Sequence, residues 1–253
     1  MRKHKILSKV PQITVFFWII KVLTTGMGEV TSDFLAHLMD PAISVAIAGI
    51  GLLVSLAIQL GSRKYVAWIY WLTVIMVSIF GTMAADVLHV GFGIPYAAST
   101  SFFAVALSGI LGGWYLSERT LSIHSIFTRR RELFYWATIL TTFALGTAAG
   151  DMTASTMHLG YFNSGLIFAV LIALPALGYW LMGINEIFAF WFAYIMTRPL
   201  GATFADWIGV PASRGGLGIG TGVVSLVLTL LIIGFVTYVT MTKKDIKSLG
   251  RTA

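Results

Sequence analysis

One pattern limits what this chain can fold into. Four times a tryptophan is followed ten residues later by a glycine and fifteen residues later by an aspartate. The sets are Trp18/Gly28/Asp33, Trp71/Gly81/Asp86, Trp136/Gly146/Asp151 and Trp191/Gly201/Asp206. Each set lies in a strongly apolar stretch. Burying a carboxylate at lipid depth costs several kcal/mol, so even one such residue points to function. Four at one repeat position point to a site assembled by internal symmetry.

The apolar stretches are long enough to cross a bilayer, which takes about 20 residues each. They fall near 12–34, 42–61, 66–88, 96–116, 133–155, 161–182, 187–207 and 218–241. With 253 residues, 11% charged and a mean hydropathy of +0.87, little is left for a soluble domain. The expectation is an all-α membrane protein: a single transmembrane domain over 1–253, with eight transmembrane helices. Fourteen of the 17 Lys and Arg residues lie before the first span, after the eighth, or in the second and fourth connections. The positive-inside rule places that side, with both termini, in the cytoplasm, as expected of a multi-pass protein of the inner (plasma) membrane. The net charge of +7 is therefore a topology signal. Its scatter over short loops argues against a nucleic-acid partner. The opening MRKHKILSK and its apolar run imitate a signal peptide, but that run carries a full repeat, so a signal peptide is not expected. Cysteine is absent, which excludes disulfides, thiolate metal ligands and a cysteine nucleophile.

The repeats cover approximately 10–61, 63–116, 129–182 and 184–241. Each holds a polar-marked odd helix and a plainer even one. A two-helix unit returns the chain to its starting side, so all four units are parallel, related by an axis along the membrane normal. The expected bundle is pseudo-fourfold or a pair of pairs, with the odd helices at its centre. Four residues after each glycine comes another small residue: Ser32, Ala85, Gly150 and Ala205. Small residues at i and i+4 let membrane helices approach closely. The tryptophans are expected to fill space or mark an interface.

Positions 7, 11 and 15 after each tryptophan share one helical face. They read Thr25/Glu29/Asp33, Ser78/Thr82/Asp86, Phe143/Thr147/Asp151 and Arg198/Ala202/Asp206. His37, His89 and His158 extend three of these faces. Carboxylates with a few imidazoles and no thiols suit a hard or borderline divalent cation such as Mn²⁺. Glu29, Asp33, Asp86, Asp151 and Asp206 are the expected metal or substrate ligands, with Thr25, Thr82, Thr147, His37 and His89 as auxiliary or proton-carrying groups. Depth argues the other way. Asp33 is about 22 residues from Pro11, roughly 33 Å along a helix, which puts the aspartates near the hydrocarbon boundary and leaves a structural or vestibule role open.

Lys21 and Arg198 break the repeat. Either they neutralise repeat acids, Glu29 first, or Arg198 acts with the helix-disturbing Pro199 as a gate. The run GGLGIGTG at 215–222 lacks the context and the Lys-Ser/Thr ending of a phosphate loop. No catalytic signature appears, and an enzyme is not expected.

The repeated tryptophans, with FALGTAAGD at 143–151 and TRPLGATFAD at 197–206, make the chain resemble a family of bacterial membrane proteins of unknown function, built from four tandem two-helix repeats. The resemblance covers essentially the whole chain and implies the eight-helix architecture, but no activity. From the residues, the first expectation is a secondary transporter of a divalent metal, most plausibly manganese, coupled to protons. The metal is cargo, and no resident cofactor is expected. The alternatives are a transporter of a small organic solute or organic cation, and a non-transport enzyme or assembly factor with structural acids. The expected partners are the lipid bilayer and the metal or solute; a homo-oligomer is compatible with all three readings.

Overall fold

The computed structural model describes residues 8–246. The terminal basic residues Arg2, Lys3, Lys5, Lys247 and Arg251 lie outside the described residues. Eight long helices follow one another: α1 Val15–Leu38, α2 Pro41–Gly61, α3 Ala67–Asp86, α4 Tyr96–Glu118, α5 Arg129–Asp151, α6 Gly160–Met182, α7 Glu186–Gly209 and α8 Thr221–Thr242. Polar caps fix several starts. Thr14, Asp40, Thr128 and Asn185 each accept a hydrogen bond from a first-turn amide, and Pro41 occupies the first turn of α2, where its missing N–H costs nothing. Six of the eight are long and apolar enough to cross a membrane, the mark of a multi-pass membrane protein. α1 and α7 are the other two. Lys21, Glu29 and Asp33 lower the hydropathy of α1, and Glu186, Arg198 and Asp206 that of α7.

The odd helices form a closed ring, α1 on α3, α3 on α5, α5 on α7 and α7 on α1. The repeat glycines show how the ring closes. A Cβ on Gly28 would strike Ser78, one on Gly81 would strike Phe143, one on Gly146 would strike Arg198, and one on Gly201 would strike Thr25. Each glycine thus meets the residue seven after the tryptophan of the next repeat, and the fourth meets the first. Only a hydrogen side chain allows helices this close. The arrangement is pseudo-fourfold.

The even helices lie outside. About a fifth of α4, α6 and α8 is buried, against more than half of α3 and α5. Each even helix leans chiefly on the odd helix that follows it: α2 on α3, α4 on α5, α6 on α7, and α8 back on α1. The packing unit is therefore shifted by one helix from the unit read in the sequence.

One end of the bundle gathers the basic loops, which the backbone ties together. Lys9 N–H donates to Ile126, Gln12 N–H to Asp245, and Tyr65 N–H to Ser8. The aspartates occupy the other end. α3 and α5 pass directly from Asp86 and Asp151 into π-helical turns, Val87–Gly91 and Met152–Thr156. Such turns alter helix register and are frequent at functional sites.

Candidate functional site

The helix face that carries 0, +3, +7, +11 and +15 from each tryptophan turns toward the ring axis, in layers about 6 Å apart. The layers differ in chemistry from one end to the other.

Nearest the basic end is an aromatic collar. Phe17 packs on Trp71, Tyr70 on Trp136, Tyr135 on Trp191 and Phe190 on Trp18, with ring centroids 5.8, 5.6, 6.4 and 5.8 Å apart. Each aromatic just before a tryptophan meets the tryptophan of the next repeat, and the cycle closes. The Tyr70 and Tyr135 hydroxyls bond across it at 2.5 Å. The tryptophans thus fill space in a ring of packed aromatics.

One layer on, Lys21 is 1% exposed, and its ammonium has no hydrogen-bond partner. It lies over the rings of Phe143 and Tyr194, 3.9 and 4.2 Å from their centroids. Two ring faces hold an ammonium by cation–π attraction. The expected pairing of Lys21 with Glu29 does not occur. The acid is already taken, and the long lysine stem carries the charge toward the rings.

At the centre, Arg198 is wholly buried. Its Nη1 donates to the Thr25 carbonyl at 3.0 Å. Its Nη2 donates to Glu29 Oε2 at 2.5 Å, to Thr147 Oγ1 at 2.6 Å and to Thr82 Oγ1. Glu29, Thr82 and Thr147 are the +11 residues of three repeats. In the fourth that position is Ala202, buried and small, which leaves room for the guanidinium reaching up from +7. Nη2 has two hydrogens and faces three oxygens, while Nε has no partner. The guanidinium therefore sits among these oxygens as a charge, without the matched fork it makes on a free carboxylate. Pro199 beside it packs close to Gly146 and Gly150.

The +15 layer holds the aspartates. Asp33, Asp86 and Asp151 are half-buried and Asp206 is buried. Among the described residues none of the four carboxylates has a hydrogen-bond or ion-pair partner within the chain, and Asp206 Oδ1 is fully enclosed. The sequence leaves open whether the acids share one site; Glu29 and the aspartates occupy different layers. Glu29 lies one turn deeper, held by Arg198. Among the described residues no three His, Asp or Glu side chains group closely enough to hold a metal ion.

The histidines stand apart. His37 is exposed and bonds its own helix at the Asp33 carbonyl, 2.6 Å away. His89 contacts Ser99 Oγ and the Ile94 carbonyl and packs on Tyr96. Both anchor the ends of helices. The sequence stripe includes Phe143 and Ala202 but gives neither a role, and it leaves out Tyr194, although repeat register marks its position. Glu132 falls just outside the span read near 133–155. Glu132 is fully buried in the first turn of α5, where Lys9 Nζ donates to it at 2.6 Å and Gln59 at 3.1 Å.

The sequence pattern described as "Repeat of Unknown Function (DUF347)" matches residues 16–65, 69–120, 134–184 and 189–245. The chain belongs to this family. Each DUF347 repeat begins two residues before its tryptophan, so the family unit and the axial layers share one register. No curated protein and no solved structure matches the chain. Within the DUF347 unit the glycine, the aspartate and the aromatic pair recur in all four copies. Lys21, Glu29 and Arg198 each occur in one copy only.

Proposed function

We propose that this DUF347 protein is a secondary transporter of a hard cation, with a divalent metal such as Mn²⁺ as its cargo, moved along the axis of the odd helices. One observation carries the reading. Glu29 Oε2, Thr82 Oγ1, Thr147 Oγ1 and the Thr25 carbonyl surround the cationic head of Arg198. A carboxylate, two hydroxyls and a carbonyl are oxygen donors of the kind hard cations take, at about 2.0–2.6 Å. Arg198 is then the resident cation, and cargo binds as the guanidinium leaves. The guanidinium lies among the same oxygens that cargo would take, so the two compete for them. The four aspartates, which have no partner among the described residues, line the entrance with oxygen donors of the kind hard cations take. The aromatic collar closes the opposite side.

The chain would span the plasma membrane eight times, with α1 and α7 crossing because their charges face the ring interior. The basic loops at the collar end support a cytoplasmic orientation for it. A second reading, an organic cation, draws on the aromatic pair that already holds the Lys21 ammonium.

Flux into proteoliposomes tests both. The account expects Mn²⁺ entry through the wild type and loss of at least nine-tenths of it in Glu29→Gln. Mn²⁺ flux that is absent from the wild type, or unchanged in the variant, overturns the metal reading. Flux of an alkylammonium but not of Mn²⁺ selects the second.

A further inference from the structure

A groove of about 350 Å³ lies on the outer face of the bundle where α8 meets α1, lined by Phe16, Leu230, Leu231, Gly234, Phe235 and Tyr238. Gly234 gives it depth: a Cβ there would meet no atom within 4 Å. Its wall is apolar along its length, and its rim is not. Lys243 ends α8 in the left-handed conformation (φ 53°), which turns the chain back on itself. Lys244 folds over the groove's end, its ammonium 5.4 Å from the Phe16 ring and 5.0 Å from the Tyr238 ring. It donates to the Tyr238 hydroxyl at 2.6 Å. Among the described residues Lys244 has no carboxylate partner. Arg63, Lys64, Arg129 and Arg130 stand at the same end of the bundle.

We propose that this groove is a binding site for one anionic glycerophospholipid, its acyl chain along Leu230, Gly234 and Phe16 and its phosphate on Lys244 and the Tyr238 hydroxyl. Charge complementarity selects the occupant. A greasy slot topped by an ammonium with no carboxylate partner among the described residues, at the end where basic loops meet the headgroups, attracts a net negative lipid over a zwitterionic one. Lysines at helix ends reach naturally to this level. A second copy of the chain would bring its own Lys244 to the same rim, like charge against like.

The purified full-length protein, reconstituted in vesicles of equal phosphatidylglycerol and phosphatidylcholine and then extracted in mild detergent, is read by native mass spectrometry. The wild type is expected to retain one phosphatidylglycerol, enriched roughly fivefold over phosphatidylcholine, the effect of one lysine at an anionic surface. Lys244→Ala is expected to abolish the enrichment. Gly234→Leu, which fills open space in a helix, is expected to keep its helicity and melting temperature while losing the retained lipid of either kind. Equal retention of the two lipids by the wild type, or unchanged retention in Gly234→Leu, overturns the proposal. So does a dimer that dissociates in Gly234→Leu, which would assign the groove to a second copy.

Discussion

Replacing Arg198 by methionine removes the one cation that, among the described residues, touches Glu29, and keeps an unbranched side chain beside Gly146. The buried carboxylate then retains only a long contact from the Thr147 hydroxyl, at 3.5 Å. With charge centres about 4 Å apart and an effective dielectric of about 20, the lost attraction is about 4 kcal/mol. That agrees with the cost of removing one partner of a buried ion pair, about 3–5 kcal/mol. Glu29→Gln is milder, because Arg198 keeps the Thr25 carbonyl and two hydroxyls; about 1–3 kcal/mol is expected. The double variant Glu29→Gln/Arg198→Met has no stranded charge and should lie within about 2 kcal/mol of wild type, since apolar replacements of buried pairs are often near neutral. Equilibrium unfolding of all four proteins in one detergent gives the coupling energy. A value of at least about 2 kcal/mol is expected for groups in direct contact. Strictly additive losses would refute the placement of Arg198 on Glu29.

Three further outcomes follow from the geometry. Gly146→Ala drives a methyl into Arg198 and Pro199 and should lower both the melting temperature and flux. Gly112→Ala, where a Cβ meets nothing, should be neutral or up to about 1 kcal/mol more stable. Lys21→Met should raise the melting temperature, because the ammonium is enclosed without a hydrogen bond and the thioether stays on the same two rings; a large loss of stability would mean that the rings more than offset the desolvation. The fourth outcome concerns pH. Asp245 lies beyond α8, and burial holds its carboxyl above the ordinary value despite the Tyr65 hydroxyl donated to it. The folded state therefore binds this proton more tightly than the unfolded state. Stability should fall as pH rises from about 4 through the raised folded value, and Asp245→Asn should flatten that part of the pH–stability curve.

Much of this architecture is legible in the sequence, because the tryptophan register fixes which face of each odd helix is special. The spans, the inward stripes and the packing role of Gly28, Gly81, Gly146 and Gly201 follow from spacing and residue size alone. Relations between repeats are harder to read. That Phe17 meets Trp71, or that α8 leans on α1, depends on how the ring closes, and no local period encodes it. The pairing of Arg198 with Glu29 could be anticipated from charge. The place of Lys21 could not: a four-carbon stem reaches either the acid or the rings, and the guanidinium already holds the acid. Glu132 was hidden by the arginines before it, because its partner Lys9 lies 123 residues away. The π-helical turns after Asp86 and Asp151 leave no mark in composition.

The central claim is that Arg198 occupies a site built for a cation. Equilibrium Mn²⁺ binding to the purified protein, to Arg198→Ala and to Arg198→Ala/Glu29→Gln tests it most directly. Removing the resident guanidinium should tighten Mn²⁺ binding at least tenfold, about 1.4 kcal/mol, and removing Glu29 as well should abolish that gain. Affinity that is unchanged or weaker in Arg198→Ala would contradict the claim and leave Arg198 as a structural tie between α7 and α1.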